Sequence, residues 1–304
     1  MKIFFILNFF ALSALSAQFA LYSKQVGTVQ VAFLRNATST ENAFNLKASF
    51  ADIEKIAPLS PSLLRTLKPE DLRGLTMEEF NQIYARLGSG PMPFGDYAGY
   101  ILQKPPIYDA LKKRILKKIL LATEFAKVAK IACGREGEDC LFEFIWKGKR
   151  FWPTNSTGQI MTKTLFNPVT SGFKFPLVGD LFKSKEFDTA LDFAEGLIDK
   201  ASPTIFPMET YCGVSQVDTR RESIIADASF GDEFGLPHYL SLRDEMVTRK
   251  GLNITEEYRM LRAGLYIGKV YSNKLFLFNT ALEKTGTQTS PETSNACTDT
   301  LKAL

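Results

Sequence analysis

The sequence predicts an α+β fold in which helices come first and paired antiparallel strands then close a sheet. Three observations point there. From Leu265 to Ser272 the side chains alternate, with Leu265, Ile267, Lys269 and Tyr271 on one face and Tyr266, Gly268, Val270 and Ser272 on the other. After a Ser272-Asn273 turn, Lys274 to Ala281 returns as a strand with Phe276 and Phe278 facing one way and Leu275 and Leu277 the other. It is apolar on both faces, as expected of a strand packed on two sides. Upstream, Thr76-Met77-Glu78-Glu79 is a capping box before Phe80, Ile83, Tyr84 and Leu87, which share one helical face. Gly88 stands where a left-handed helix stop is expected.

The chain begins Met1-Lys2, followed by the apolar run Ile3 to Leu15 and the small residues Ala14, Ser16 and Ala17. This is a secretory signal pattern over residues 1–20, with cleavage expected between Ser16 and Ala20. An uncleaved anchor is the rival, because weakly apolar residues continue to Tyr22; Asn8 and Gln18 interrupt the run and favour cleavage. The expected location is extracellular, or periplasmic in a bacterium. With 304 residues there is ample chain for a core in one large or two small domains. The net charge of +4, with signs mixed, is too weak to argue for nucleic acid.

Residues 21–132 read as a helical lead-in. Val26 to Leu34 forms a short strand, Ser49 to Lys55 begins a helix, and the capping-box helix follows. The glycine- and proline-rich stretch Gly88 to Tyr100 is no phosphate loop, since it lacks the Gly-Lys-Ser/Thr ending. Ile107 to Ala132 carries an apolar stripe of Leu111, Ile115, Ile119, Ala122 and Ala126, with Lys112, Lys113, Arg114, Lys117 and Lys118 opposite. Such a helix lies on an anionic membrane surface or packs on the sheet with its basic face in water.

Residues 133–282 hold the strands: Leu141 to Phe151, Ile160 to Leu165, Gly172 to Leu177, Met208 to Gly213 and Glu222 to Asp227, then the late pair. A helix is expected over Glu186 to Asp199. Residues 283–304, rich in Thr and Ser and holding Pro291, are expected to be disordered. Four cysteines, Cys133, Cys140, Cys212 and Cys297, allow three disulfide pairings. One pairing closes the polar loop between Cys133 and Cys140 and ties the tail, through Cys297, to the strand holding Cys212. Zinc is the rival, but there is no Cys-x-x-Cys pair and one histidine, so neither metal nor cofactor is expected. Asn36, Asn155 and Asn253 open the triplets Asn36-Ala37-Thr38, Asn155-Ser156-Thr157 and Asn253-Ile254-Thr255, which accept N-linked sugar in a eukaryotic host.

Several motifs stand in a set order: Trp146-Lys147-Gly148-Lys149-x-Phe151, Tyr211-Cys212-Gly213-x-Ser215-x-x-Asp218, Ser223-Ile224-Ile225-x-Asp227, Arg243-Asp244-Glu245 and Gly264-Leu265-Tyr266-x-Gly268-x-x-Tyr271. Together with Gly95-Asp96-Tyr97-Ala98-Gly99 they resemble an uncharacterised lipocalin-like (calycin-type) family with LWxGKxF and RDEIR…PGLYLGxxY motifs. The resemblance covers about Thr76 to Leu282 and implies a mainly antiparallel lipocalin-like β-barrel preceded by N-terminal helices. It implies no activity. Ala263 replaces the family's proline, the Gly172 to Pro207 stretch is an insert, and Glu256-Glu257-Tyr258-Arg259 reads as a lengthened connection.

The candidate site follows from these strands. Arg243 and Glu245 share one face of an expected strand, so Arg243, Glu245 and Arg262 form a polar anchor at one end of a cavity, or else a structural salt bridge at the barrel mouth. Tyr266, Val270, Phe276, Phe278 and Trp146 would line the cavity. Gly268 marks a bend or close approach, or leaves room for a bound molecule. The expected function is a secreted barrel that binds a small apolar or amphipathic molecule. The alternatives are a lipid- or ester-modifying enzyme using His238, the one histidine, with a carboxylate, or a purely structural envelope or surface protein.

Overall fold

The computed structural model describes residues 19–36, 49–105, 146–153, 160–166, 204–229, 231, 244–286 and 293–297. The chain opens with a hairpin, β1 (Phe19–Val26) and β2 (Val29–Asn36), turned at Gly27 with φ +57°. Short helices follow: α1 (Phe50–Ile56), α2 (Pro61–Leu64), α3 (Pro69–Leu72) and α4 (Met77–Ala85). After the two-residue strand β3 (Pro91–Met92) come β4 (Gly95–Ile101), β5 (Trp146–Pro153), β6 (Ile160–Phe166), β7 (Thr204–Val214) and β8 (Glu222–Asp227). A 3₁₀ turn over Glu245–Val247 precedes β9 (Ile254–Arg262), β10 (Leu265–Ser272), β11 (Leu275–Lys284) and β12 (Thr293–Ala296).

Eight of these strands close into an antiparallel barrel in the order β10-β11-β4-β5-β6-β7-β8-β9. A barrel of this size is just wide enough for side chains to fill it. The alternation of β10 sorts two cores. Tyr266 and Val270 point inward, in one cluster with Tyr258 of β9, Phe278 and Leu282 of β11, Tyr97 of β4 and Phe151 of β5. Leu265 and Ile267 point outward and meet Val31 and Phe33 of β2 and Phe80, Ile83, Tyr84 and Leu87 of and beyond α4. The hairpin and helices therefore cover the β9–β11 wall, which is why β11 reads as apolar on both faces.

The capping box is present: Glu79 N–H donates to Thr76 Oγ1 at 3.2 Å, and Thr76 N–H donates to Glu79 Oε2 at 2.7 Å. Gly88 is not the left-handed stop. The helix closes at Arg86, and the first positive φ beyond it is Gly90 at +73°. Gly88 instead runs on beside β9, where the carbonyls of Gly88 and Ser89 accept from Met260 N–H. Other expectations give way too. Arg243-Asp244-Glu245 does not supply a strand face: Asp244 caps the 3₁₀ turn, and Arg243 lies outside the described residues. Glu256 to Arg259 is not a connection but the middle of β9. The expected disordered tail contains the end of β11 and β12, and β12 pairs with β3. The expected elements at 107–132, 172–177 and 186–199 lie outside the described residues.

Glu79 also ties the hairpin to α4. Its Oε2 meets Lys24 Nζ at 2.7 Å and its Oε1 accepts from Tyr22 OH at 2.8 Å. Burial alone would raise the carboxyl's pKa, but Lys24, the Thr76 N–H and Tyr22 outweigh it and hold Glu79 below its ordinary value of 4.5. A carboxylate with a lowered folded pKa contributes stability that is present above the unfolded value and is lost as pH falls through the folded one. Urea unfolding across the acid range should therefore show Glu79→Gln less stable than wild type near neutrality, with the gap closing on acidification. Thr76→Ala should cost about 1 kcal/mol.

Candidate functional site

The most unusual group in the barrel is an ion pair that crosses its lumen. Lys149 of β5 and Glu256 of β9 both point inward, and in the ring of strands three others separate β5 from β9 whichever way one counts. Lys149 Nζ lies 2.8 Å from Glu256 Oε1, with side-chain exposures of 0% and 5%. Lys149 Nζ also donates to Met208 Sδ of β7 at 3.3 Å. The other carboxylate oxygen of Glu256 accepts from Tyr258 OH. Burial and then the Glu256 charge push the Tyr258 phenol well above its ordinary pKa, so it stays a donor.

Gly268 shows why Tyr258 can take that place. A Cβ on Gly268 would run into the Tyr258 ring and would lie 2.6 Å from Glu257 O. The glycine serves close packing, not a ligand space. On the same inner row, Thr210 of β7 pairs with Ala226 of β8, which pairs with Glu256. Thr210 Oγ1 is buried without a hydrogen-bond partner among the described residues, which costs free energy of order 1–3 kcal/mol.

The two halves of the lumen differ. Tyr97, Tyr258, Tyr266, Ile224, Ala226 and Leu282 are all 0% exposed, so no water-sized space touches them. Tyr97 packs edge-on to Phe151 and Tyr266, with ring centroids 5.5 and 5.8 Å away. This half is capped by β3 and β12. Tyr266 OH donates to Pro91 O at 2.7 Å, Ser89 Oγ donates to Cys297 O at 3.1 Å, and Cys297 is disulfide-bonded to Cys212. The other half, toward the β10–β11 turn, is looser: Ile101 is 7% exposed, and Leu252 and Ile254 are 9%. The connections 102–145, 167–203 and 228–253 all leave from that end.

The expected site residues divide accordingly. Tyr266, Val270 and Phe278 face the lumen. Phe276 does not share their face. A register shift places Phe278 opposite Val270 and Phe276 opposite Tyr271, where its ring meets Tyr271 at 5.9 Å and Lys269 Nζ at 4.7 Å. Glu245 sits near the surface, 42% exposed at its side chain and paired with Lys250 at 2.8 Å. Arg262 braces the outside: it bonds Leu67 O and meets Glu283 at 2.8 Å. The structure thus does not bring Arg262 to Glu245 as one anchor. Trp146 begins β5, and nothing of its side chain is described. Arg243, His238, Cys133, Cys140 and Asn155 lie outside the described residues. Asn36 ends β2, and Asn253 forms the turn before β9 with φ +51°.

Sequence reasoning missed Lys149, Glu256, Tyr258 and Thr210. It also missed two buried cations on the outer wall. Arg259 stacks over Tyr84 at 4.7 Å and donates to Tyr84 O and Ser223 Oγ. Lys269 donates to Asn81 and Asn279 at 2.6 and 2.8 Å. Both pin α4 to the barrel. The signal available was charge at strand positions on either side of Tyr258, a pattern that needs buried partners once both faces are covered. In comparisons with protein-family models, curated proteins and solved structures, nothing matches this chain.

The lumen pair generates a stability prediction. Glu256→Gln alone leaves Lys149 buried without its counter-ion and should cost about 3–5 kcal/mol in urea unfolding. Replacing both, Lys149→Met with Glu256→Leu, should recover most of that loss. Equal losses in the single and double variants would show that the two charges do not act as a pair.

Proposed function

We propose that this chain is a secreted, lipocalin-like barrel that binds a small apolar or amphipathic molecule, with its polar end directed at the Glu256 carboxylate of the Lys149–Glu256 pair. The observation that carries the reading is the ion pair buried across the lumen, with the Thr210 hydroxyl of the same inner row unpartnered among the described residues. Two desolvated charges are a poor way to stabilise a core, since an apolar pair of similar volume does as well or better. A polar recognition group at the floor of an apolar barrel explains their presence better. Entry would be from the looser half, past Val270, Leu277 and Phe278. The export pattern at residues 1–20 supports a carrier outside the cytoplasm.

The close packing of the other half favours a second reading, a purely structural envelope or surface barrel without cargo. A binding experiment separates the two. Displacement of a fluorescent long-chain fatty acid should be saturable in the wild-type chain. It should weaken about tenfold or more, roughly 1.4 kcal/mol, in the Lys149→Met/Glu256→Leu double variant. The surface variant Glu245→Gln should bind as wild type does. An absence of saturable binding, or equal affinity in the double variant, contradicts the carrier reading.

A further inference from the structure

A concave surface lies on the outside of the barrel wall, on the face opposite to the one that carries the lumen pair. It is a groove of about 290 Å³ lined by residues of β7, β8 and β9 and by Lys274 of the β10–β11 turn. Its volume is at the small end of ligand pockets, roughly 300 Å³ and up. Its platform is Tyr211, which is 40% exposed. Gly213 makes room for that ring: a Cβ there would sit 3.3 Å from Tyr211 Cε2 and 2.9 Å from Ile225 Cγ1. Tyr211 OH donates to Asp227 Oδ2 at 3.1 Å, which fixes the ring's direction. Burial and the Asp227 charge push the phenol up to about 12, so the bond persists at neutral pH.

Around the ring stands a rim of hydrogen-bonding groups. Asp227 Oδ1 accepts from Ser229 N–H at 2.8 Å, and Ser229 Oγ donates to Asn253 Oδ1 at 2.6 Å. Thr255 and Gln216 complete the rim. Tyr211, Val214 and Leu275, the neighbour of Lys274, are among the exposed large hydrophobic side chains of the described residues. The composition narrows the ligand. A lipid tail would cover the polar rim and strip its groups of water without replacing it. An anion would meet Asp227, and a cation would meet Lys274. A sugar ring satisfies both parts, with its C–H face on the aromatic ring and its hydroxyls toward the rim.

We propose that this groove seats a sugar ring against Tyr211. The ring has two sources, a free saccharide or a sugar attached to the chain itself. The triplet Asn253-Ile254-Thr255 is an N-glycosylation acceptor, and both Asn253 and Thr255 line the groove. In attachment, Asn253 Nδ2 bonds to the anomeric carbon of a lipid-diphosphate-linked N-acetylglucosamine saccharide. The lipid diphosphate leaves with the bonding electrons, and the amide gives up one proton. The attached source rests on the export reading; the free source does not.

Two arms test this on the full chain. In the first, protein from a bacterium without N-glycosylation is titrated with N-acetylglucosamine and with glucose, following the Tyr211 ring protons by NMR. A saturable shift that Tyr211→Ala weakens about tenfold or more supports a free saccharide. Tyr211→Ala removes an exposed ring, and an unchanged Tm verifies its fold. In the second arm, the chain is made in secreting eukaryotic cells and residue 253 is mapped by peptide mass. An occupied Asn253 whose loss in Asn253→Gln lowers Tm in the Tyr211 background, but not in Tyr211→Ala, supports the attached sugar. No saturable shift in the first arm, together with a bare Asn253 on secreted chain, overturns the proposal. Chain retained inside the cell, with no shift in the first arm, overturns both the groove proposal and the export reading.

Discussion

The barrel turns on a salt bridge drawn across its diameter. Lys149 and Glu256 come from opposite strands of the closed ring, and their heads meet in the middle of the lumen. Each charge alone would cost several kcal/mol to bury, so each strand is committed to the position of the other. Tyr258 OH donates to the second carboxylate oxygen, Met208 Sδ accepts a hydrogen bond from the ammonium, and Gly268 vacates the space that Tyr258 needs. The pair also divides the lumen. Aromatic rings and the disulfide-tethered tail close one side, and the looser apolar walls of the other lie toward the β10–β11 turn.

The outer wall obeys the same rule that a buried charge must find partners. Arg259 and Lys269 project from β9 and β10 into the layer beneath α4 and end on carbonyls, amides and ring faces. Glu257 accepts from Tyr271 OH at 2.7 Å and from the Gln216 N–H at 3.0 Å. These contacts draw helix, loop and strand together at fixed points, while the apolar side chains between them supply the non-directional part of the packing. One covered wall, and a lumen in which the charges meet their partners, explain how strands so rich in charge lie almost wholly out of water.

Much of this was legible where the local pattern agreed with the tertiary environment. Leu265 to Ser272 alternates cleanly, so its two faces could be assigned in advance. Thr76 and Glu79 bond each other within one turn, and Cys297 needed only a partner in a strand. The antiparallel barrel that the motifs imply is present. What escaped depends on distant residues. Glu256-Glu257-Tyr258-Arg259 looks like a solvated connection until Lys149, Tyr271 and Ser223 are known to meet it. Phe276 changed faces because one extra residue on β11 shifts the register, and no composition rule places such a bulge. Residues 293–297 looked disordered because their anchor, β3, lies some two hundred residues upstream by sequence count.

Native mass spectrometry of the chain isolated from the cells that make it bears most directly on the role of the lumen pair. Comparison of native and denatured masses should reveal one small amphipathic molecule per wild-type chain, absent from a folded Lys149→Met/Glu256→Leu variant. Identical native and denatured masses for the wild-type chain, or the same molecule retained by the variant, would contradict the account.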